Sequence, residues 1–451
     1  MVRYPQYPKY KPTPCSWLNE VPVHWSFKRL KNVATHNDEA LDERTDPDFE
    51  IEYVDISSVS LTNGIEKSET LKFEKAPSRA RRKVKHGDVI VSTVRTYLKA
   101  IAPISNPPDN MIVSTGFAVV RPMCKLHSGY AGYLLQSNGF VGEVVANSVG
   151  VSYPAINASD LVRIAAIEPP FDEQEAIARF LDFKTAQIDA LIAKKQTLLE
   201  KLAEKRTALI SHAVTKGLDP SVRMKDSGVV WVGKIPSHWT IRRLKDVGRL
   251  IGGAGFPHEL QNVQDEELYF YKVGDLSLSE NGKTLLSSPH SISRETAKTL
   301  RASVIPKESI VYAKIGAALL LNRRRMTTAE CCIDNNMTAY VVNRDRVAPD
   351  WAFYWLSTID FAEHVNPGAV PSFSEGYQAV LSIPLPPIAE QENIVFFLEN
   401  NTTQIDRQVK KVEGVIERLL EYRSAIITNA VTGKIDVRDF VIPSPVEDRA
   451  I

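Results

Sequence analysis

Two arginine-rich runs offer this chain its plainest chemistry. "RARRKVK" holds Arg79, Arg81, Arg82, Lys83 and Lys85, and "NRRR" opens at Asn322 and holds Arg323, Arg324 and Arg325. Cationic side chains at this density attract phosphate oxygens, and half or more of the hydrogen bonds that proteins make to DNA go to its backbone. A solvated loop uses the same residues, so either run alone leaves the two readings even. The runs gain weight by occurring once in each half of the chain beside a similar strand pattern. Between those strands "STVRTYLK" carries Arg95, Tyr97 and Lys99, and "AKIGAALLLN" carries Lys314 and Asn322. Arg, Lys and Asn can reach guanine or adenine edges in the major groove. Two later turns, "SVGVSYP" with Ser152 and Tyr153 and "NPGAVPSF" with Ser372 and Phe373, combine small residues with an aromatic, which suits close approach to a nucleic-acid backbone.

Other chemistry is missing from the sequence. It has no GxxxxGK[ST] phosphate loop. "IGGAGFP" at 251–257 has glycines without the GxGxxG spacing or a clear strand-to-helix setting, and reads as a flexible turn. "SNPPDN" at 105–110 approaches the Asn/Asp-Pro-Pro-aromatic motif of adenine methyltransferases, but Asp109 stands where an aromatic would stack on a flipped base. His24 and His238 recur as "PVHW" and "PSHW" with no carboxylate, Cys or Ser at a definable spacing, so a packing and capping role is expected. Cys15, Cys124, Cys331 and Cys332 form no zinc-ligand array, and "ECCID" reads as a buried strand. No catalytic residue and no metal site is assigned.

The 451 residues exceed one ordinary core, and 43% hydrophobic with 24% charged residues is a globular balance. A net charge of +1 means that any DNA contact must use clustered charge or a partner's charge. No apolar run approaches a membrane span, and the N-terminus has no signal-peptide pattern, so a cytoplasmic protein without membrane contact is expected.

The elements that must carry these residues are written twice. "WLNEVPVHWSFKRLKNV" from Trp17 pairs with "WVGKIPSHWTIRRLKDV" from Trp231. "PPFDEQEAIARFLDFKTAQID" from Pro169 pairs with "PPIAEQENIVFFLENNTTQID" from Pro386, and over the 51 positions from Pro169 and from Pro386 the copies share 23 residues. Between these anchors the halves diverge and keep only a pattern of short β-branched runs and turns. The shared segments read as long amphipathic helices, with Asp172 as cap and Glu175 three residues on. The apolar stripe is expected at Ile188, Leu191, Leu198, Leu202 and Leu209, and again at Ile405, Val409, Val412, Ile416, Leu419 and Ile426. A helix over 172–216 spans roughly 65 Å at ~1.5 Å per residue. One such stripe cannot bury itself, and the simplest solution is an antiparallel pair. The expected fold is α+β, with an internal pseudo-two-fold repeat: two β-rich domains separated by two long, antiparallel coiled-coil helices.

With these paired segments, the two "R.A.I..AVT" helix ends and the two "P.HW...RLK.V" openings, the chain resembles the specificity subunit of type I restriction-modification systems. The resemblance implies target-recognition domains at 1–170 and 219–387, spacer helices at 171–218 and 388–435, and a tail at 436–451. It implies that each domain reads half of a split, asymmetric site in double-stranded DNA and that two modification subunits dock on the spacer. Those subunits would carry S-adenosylmethionine and methylate adenine at N6, while restriction/translocase subunits would use ATP and Mg2+ to move and cut DNA. This chain would be non-catalytic and hold no cofactor. The alternatives are a fused methyltransferase or nuclease with tandem recognition domains, and a coiled-coil protein-interaction scaffold.

Overall fold

The computed structural model describes residues 4–15, 17–279, 281–365 and 370–443. The chain divides into two compact units, one made of Met1–Gln196 with Glu413–Ile451 and the other of Thr197–Val412. Two long helices, Phe171–Lys216 and Ile388–Val431, contribute to both units. Among the described residues no helix is long and apolar enough to cross a membrane.

Unit 1 holds two four-stranded sheets. In the first, Val89–Ser92 lies between Ile101–Pro103 and Phe117–Pro122, with Ala34–His36 beyond, all antiparallel. In the second, Glu50–Val54 runs parallel to Met111–Ser114, flanked by Glu69–Lys72 and Ala80–Lys83. Unit 2 repeats the plan. Ile310–Ala313 lies between Arg324–Thr327 and Met337–Val342, and Leu268–Tyr271 runs parallel to Cys331–Ile333. Cys331 and Cys332 are buried on that strand, and burial raises both thiol pKa values. The helical run in unit 1 breaks into Ser128–Gln136 and Asn138–Ala146 because the Ser137 hydroxyl caps the second piece at Phe140 N. In unit 2 Pro349–Ser357 is followed by a 3-10 turn at Phe361–His364.

The repeated residues join each β-rich part to its helix. Glu173 is buried and accepts from Tyr7 OH at 3.0 Å and Trp25 Nε1 at 2.9 Å, while His24 Nε2 lies 2.6 Å from its other oxygen. Glu390 does the same with Trp239 Nε1 at 3.1 Å and His238 Nε2 at 2.7 Å. The neighbouring glutamines bind main chain. Gln174 accepts from His127 N and donates to Lys125 O and Pro169 O. Gln391 accepts from Ala348 N and donates to Arg346 O and Pro386 O. A buried amide with both ends used fixes where the helix leaves the sheet. His24 and His238 thus belong to these anchors.

The helix starts differ from the capping expected at Asp172. Pro170 O already accepts from Gln174 N at 3.0 Å, as Pro387 O does from Gln391 N, so the cap lies two residues earlier than Asp172. Asp172 sits inside the first turn, where its charge suits the positive helix end. Gly217 and Gly433 follow the two C-termini with φ of 74° and 71°, the left-handed stop that glycine adopts without strain.

Within each unit, one end of the first helix lies along the opposite end of the second. In unit 1 Ile188 and Ile192 join the core that holds Ile426, Ile427, Ala430 and Val431, with Ile416 and Leu419 against it. Asp189 and Arg423 pair there at 2.9 Å. In unit 2 Leu202 and Ile405 are buried, Leu209 packs on the core, Val409 and Val412 are half-buried, and Arg206 pairs with Asp406. Two stripe residues do not fit the expectation: Leu191 is 41% and Leu198 39% exposed. Between 188 and 209 the buried and half-buried positions, Asp189 apart, run 188, 192, 195, 199, 202, 206, 209, a four–three alternation. That seam passes one residue beyond each of those leucines.

Candidate nucleic-acid interface

In unit 1 the strand Val89–Ser92 runs into a turn where Thr93 N donates to Gly116 O at 2.8 Å. Val94 then bridges to Ala155, and Ile156 N donates to Thr93 O at 2.9 Å. These bonds bring the loop at 93–99 against the loop at 148–155. The Thr96 hydroxyl lies 2.8 Å from that of Ser148, in a short helix over Thr96–Leu98. The rim so formed gathers Arg95, Tyr97, Lys99, Ser152 and Tyr153, all exposed. The Arg95 guanidinium lies 5.2 Å above the Tyr153 ring.

Sequence reasoning missed the apolar part of this rim. Val149 is 81% exposed, Val151 fully so, and Leu98 is also exposed. A signal existed: Gly150, at φ 113°, marks "SVGVS" as a tight turn, and valines at such a tip have nothing to bury them.

Unit 2 builds the counterpart from Lys314–Asn322 and the segment after Val370; Asn366, Pro367, Gly368 and Ala369 of "NPGAVPSF" lie outside the described residues. Ile315 bridges to Ser372, Gly316 N donates to Pro371 O and Phe373 N to Lys314 O, both at 2.8 Å. The exposed large apolar residues of this rim are Ile315, Leu320, Leu321, Val370 and Tyr377. Lys314 Nζ is held 2.7 Å from Glu375.

Several candidates serve the fold. Phe373, 1% exposed, is a core residue packed on Phe361. Arg324 is 5% exposed. Its guanidinium lies 3.8 Å over the Phe361 ring and donates to Asn322 O and Ile359 O. Burial pulls its pKa down to about 10. Asn322 spends both ends of its amide, donating to Asp360 and accepting from Phe361 N. Arg325 is half-buried and donates to Arg324 O, which leaves Arg323 as the exposed cation of that run.

The run at 79–85 is also largely engaged. Arg79 pairs with Asp55 at 2.9 Å, Lys85 with Glu39, and Arg81 lies 4.7 Å over Phe73. Arg82 is half-buried, which lowers its pKa, and Lys83 is exposed. Nor are the two runs counterparts. Ala80–Lys83 pairs with Met111–Ser114 in the second sheet, whereas Arg324–Thr327 pairs with Ile310–Ala313. The unit 1 strand that matches Arg324–Thr327 is Ile101–Pro103. The exposed clusters that both units build in matching places are therefore the two loop rims.

Residues 236–414 match the family model for the type I restriction modification DNA specificity domain. A putative type I restriction enzyme MjaX specificity subunit of Methanocaldococcus jannaschii is 24% identical over 443 residues, 93% of this chain and 96% of the relative. The type I restriction enzyme EcoDI specificity subunit of Escherichia coli is 20% identical over 336 residues, 70% of this chain and 72% of its own length. A solved chain, from a study of complex assembly and conformational transition in a type I R-M system, shares the fold. Its TM-score is 0.66 at 23% identity, over 92% of this chain and 99% of that one. The family match spans most of unit 2 and the Methanocaldococcus jannaschii relative runs almost end to end, so the chain is similar to the specificity subunits of type I restriction-modification systems.

Proposed function

We propose that this chain selects the DNA site for a type I restriction-modification complex, with each unit reading one half of a split, asymmetric duplex sequence through its loop rim. The observation that carries this is the contrast within the repeat. The Glu, Gln, His and Trp anchors and the paired Asp and Arg of the helices recur in both units, whereas the rims they present differ residue by residue. Identical anchors suit two identical partners, and different rims suit two different half-sites. Two modification subunits dock on the paired helices and supply S-adenosylmethionine for adenine-N6 methylation. Restriction/translocase subunits supply ATP- and Mg2+-dependent translocation and cleavage. The chain itself performs neither step.

Selection from random duplexes by the purified full chain, alone and with modification subunits, tests this. The expected product is one sequence in two blocks separated by an unspecified gap. Selection of no sequence under either condition would overturn the reading. Methyl transfer by the chain alone would favour the fused-enzyme alternative.

A further inference from the structure

The two units bridge a turn after the same strand in the same way and place different residues in it. Ser92 pairs with Phe117 and Ala313 with Met337 at matching ends of the same antiparallel pair. Two residues on, Val94 bridges Ala155 as Ile315 bridges Ser372. The next residue opens the short 3-10 helix and has positive φ in both units. In unit 2 it is Gly316, with φ 86° and ψ −179°; in unit 1 it is Arg95, with φ 50° and ψ 48°.

Glycine is the unstrained solution at positive φ, and a long side chain there is a strained one that tends to mark a functional position. The packing of unit 1 does not require the arginine, because the residue is exposed. Arg79 and Lys85 are tied to Asp55 and Glu39, but Arg95 makes no ion pair among the described residues. The Tyr153 ring under it limits its rotamers, so less freedom is lost when it binds. Exposed Tyr97, Leu98, Val149 and Val151 belong to the same rim. Apolar neighbours of this kind suit base edges and thymine methyl groups better than phosphate. A preset guanidinium fork matches the O6 and N7 acceptors of guanine.

We propose that Arg95 is a specificity-determining residue that selects a guanine in the half-site read by unit 1, donating to O6 and N7 while Tyr153 holds the guanidinium plane. This rests on the DNA-reading function proposed above. Unit 2, with Gly316 at the matching place, reads its half-site without that contact.

The test compares the full chain with its Arg95→Gly and Arg95→Lys variants in selection from random duplexes, alongside thermal unfolding. Arg95→Gly places the unit 2 residue in unit 1 and relieves the strain, so its unfolding midpoint should equal or exceed that of the parent. Its preference for guanine should fall at one position of one block, by roughly ten- to hundredfold, with the other block unchanged. Arg95→Lys should keep most of the affinity and lose most of that preference. Two results would overturn the proposal: an Arg95→Gly variant with every preference intact, or one weakened equally on all sequences with a shallower salt dependence, the mark of a phosphate contact. If the parent chain selects no sequence at all, the DNA-reading function falls first and this assignment with it.

Discussion

Asp189 pairs with Arg423 in unit 1, and the residues that correspond to them in the repeat, Asp406 and Arg206, pair in unit 2. Each copy of the helix thus gives an aspartate to one unit and an arginine to the other. This is the reciprocity of a self-complementary interface, preserved inside one polypeptide.

The first prediction concerns this pair. The Arg423 side chain is mostly covered and Asp189 is half-open. Arg423→Ala and Asp189→Ala should each destabilise the chain by about 1 kcal/mol, with a coupling of about 0.5–1 kcal/mol in a double-mutant cycle. Urea unfolding measures all four corners of the cycle. Strict additivity would show that the pair contributes nothing of its own.

The two glutamate anchors should differ. Glu173 is buried and serves Tyr7, His24 and Trp25, whereas the Glu390 side chain is 31% exposed and serves His238 and Trp239. Removing a buried acceptor leaves its donors without partners. Glu173→Ala should cost about 3 kcal/mol and Glu390→Ala about 1 kcal/mol. Calorimetry of the two variants gives the order, and equal losses would mean that burial does not set the cost.

Alkaline pH should loosen unit 1 through Tyr7. Burial, and then the charge of Glu173, raise the Tyr7 pKa well above that of an ordinary phenol. The folded state therefore holds this proton more tightly than the unfolded chain, whose tyrosines titrate near pH ~10. The contribution is intact below that pH and declines as pH rises through and beyond it. Between pH 9 and 11 the unfolding midpoint of the parent should fall more steeply than that of Tyr7→Phe. Parallel curves would assign the alkaline loss to other tyrosines.

Fragment 1–220 should form a homodimer. It keeps one long helix with Asp189 and Arg206 both on it, so two copies can satisfy each other's pairs. Its Ile210, Ala213 and Val214 match Ile427, Ala430 and Val431, which fill the core of unit 1. Light scattering should give twice the fragment mass. Asp189→Arg should block association, and adding Arg206→Asp should restore it. Two copies of one reader should then select a palindromic site. A folded monomer would show that the two helices pair through their differences.

What could be read in advance follows from the range of each interaction. The repeat, the long helices and most of the strands were legible because periodicity and identity are local. The Asp172 cap was misread because the Pro170 carbonyl took the first helical bond, which no residue type announces. Leu191 and Leu198 were placed in the stripe because leucine at near-heptad spacing resembles a seam, while the actual four–three register passes beside them. Within the "NRRR" run residue type does not separate Arg323 from Arg324, because whether an arginine faces solvent or covers Phe361 is decided 37 residues further along the chain. Residue type marks Arg95 as a candidate, but its positive φ and its glycine counterpart are set by the matching strands and are announced by no local pattern.

The anchors also bear on how such a chain changes over generations. Gln174 and Gln391 bind main-chain atoms, and Glu173 and Glu390 each hold a Trp–His pair of their domain, with Tyr7 added at Glu173. A domain transplanted from a relative brings its own backbone carbonyls and its own Trp–His pair, and so meets the helix already fitted. If n such domains circulate among relatives and either socket accepts any of them, the sites available number n squared rather than n. If each domain reads half a site as proposed above, one recombination event gives the chain a new address while its helices stay the same.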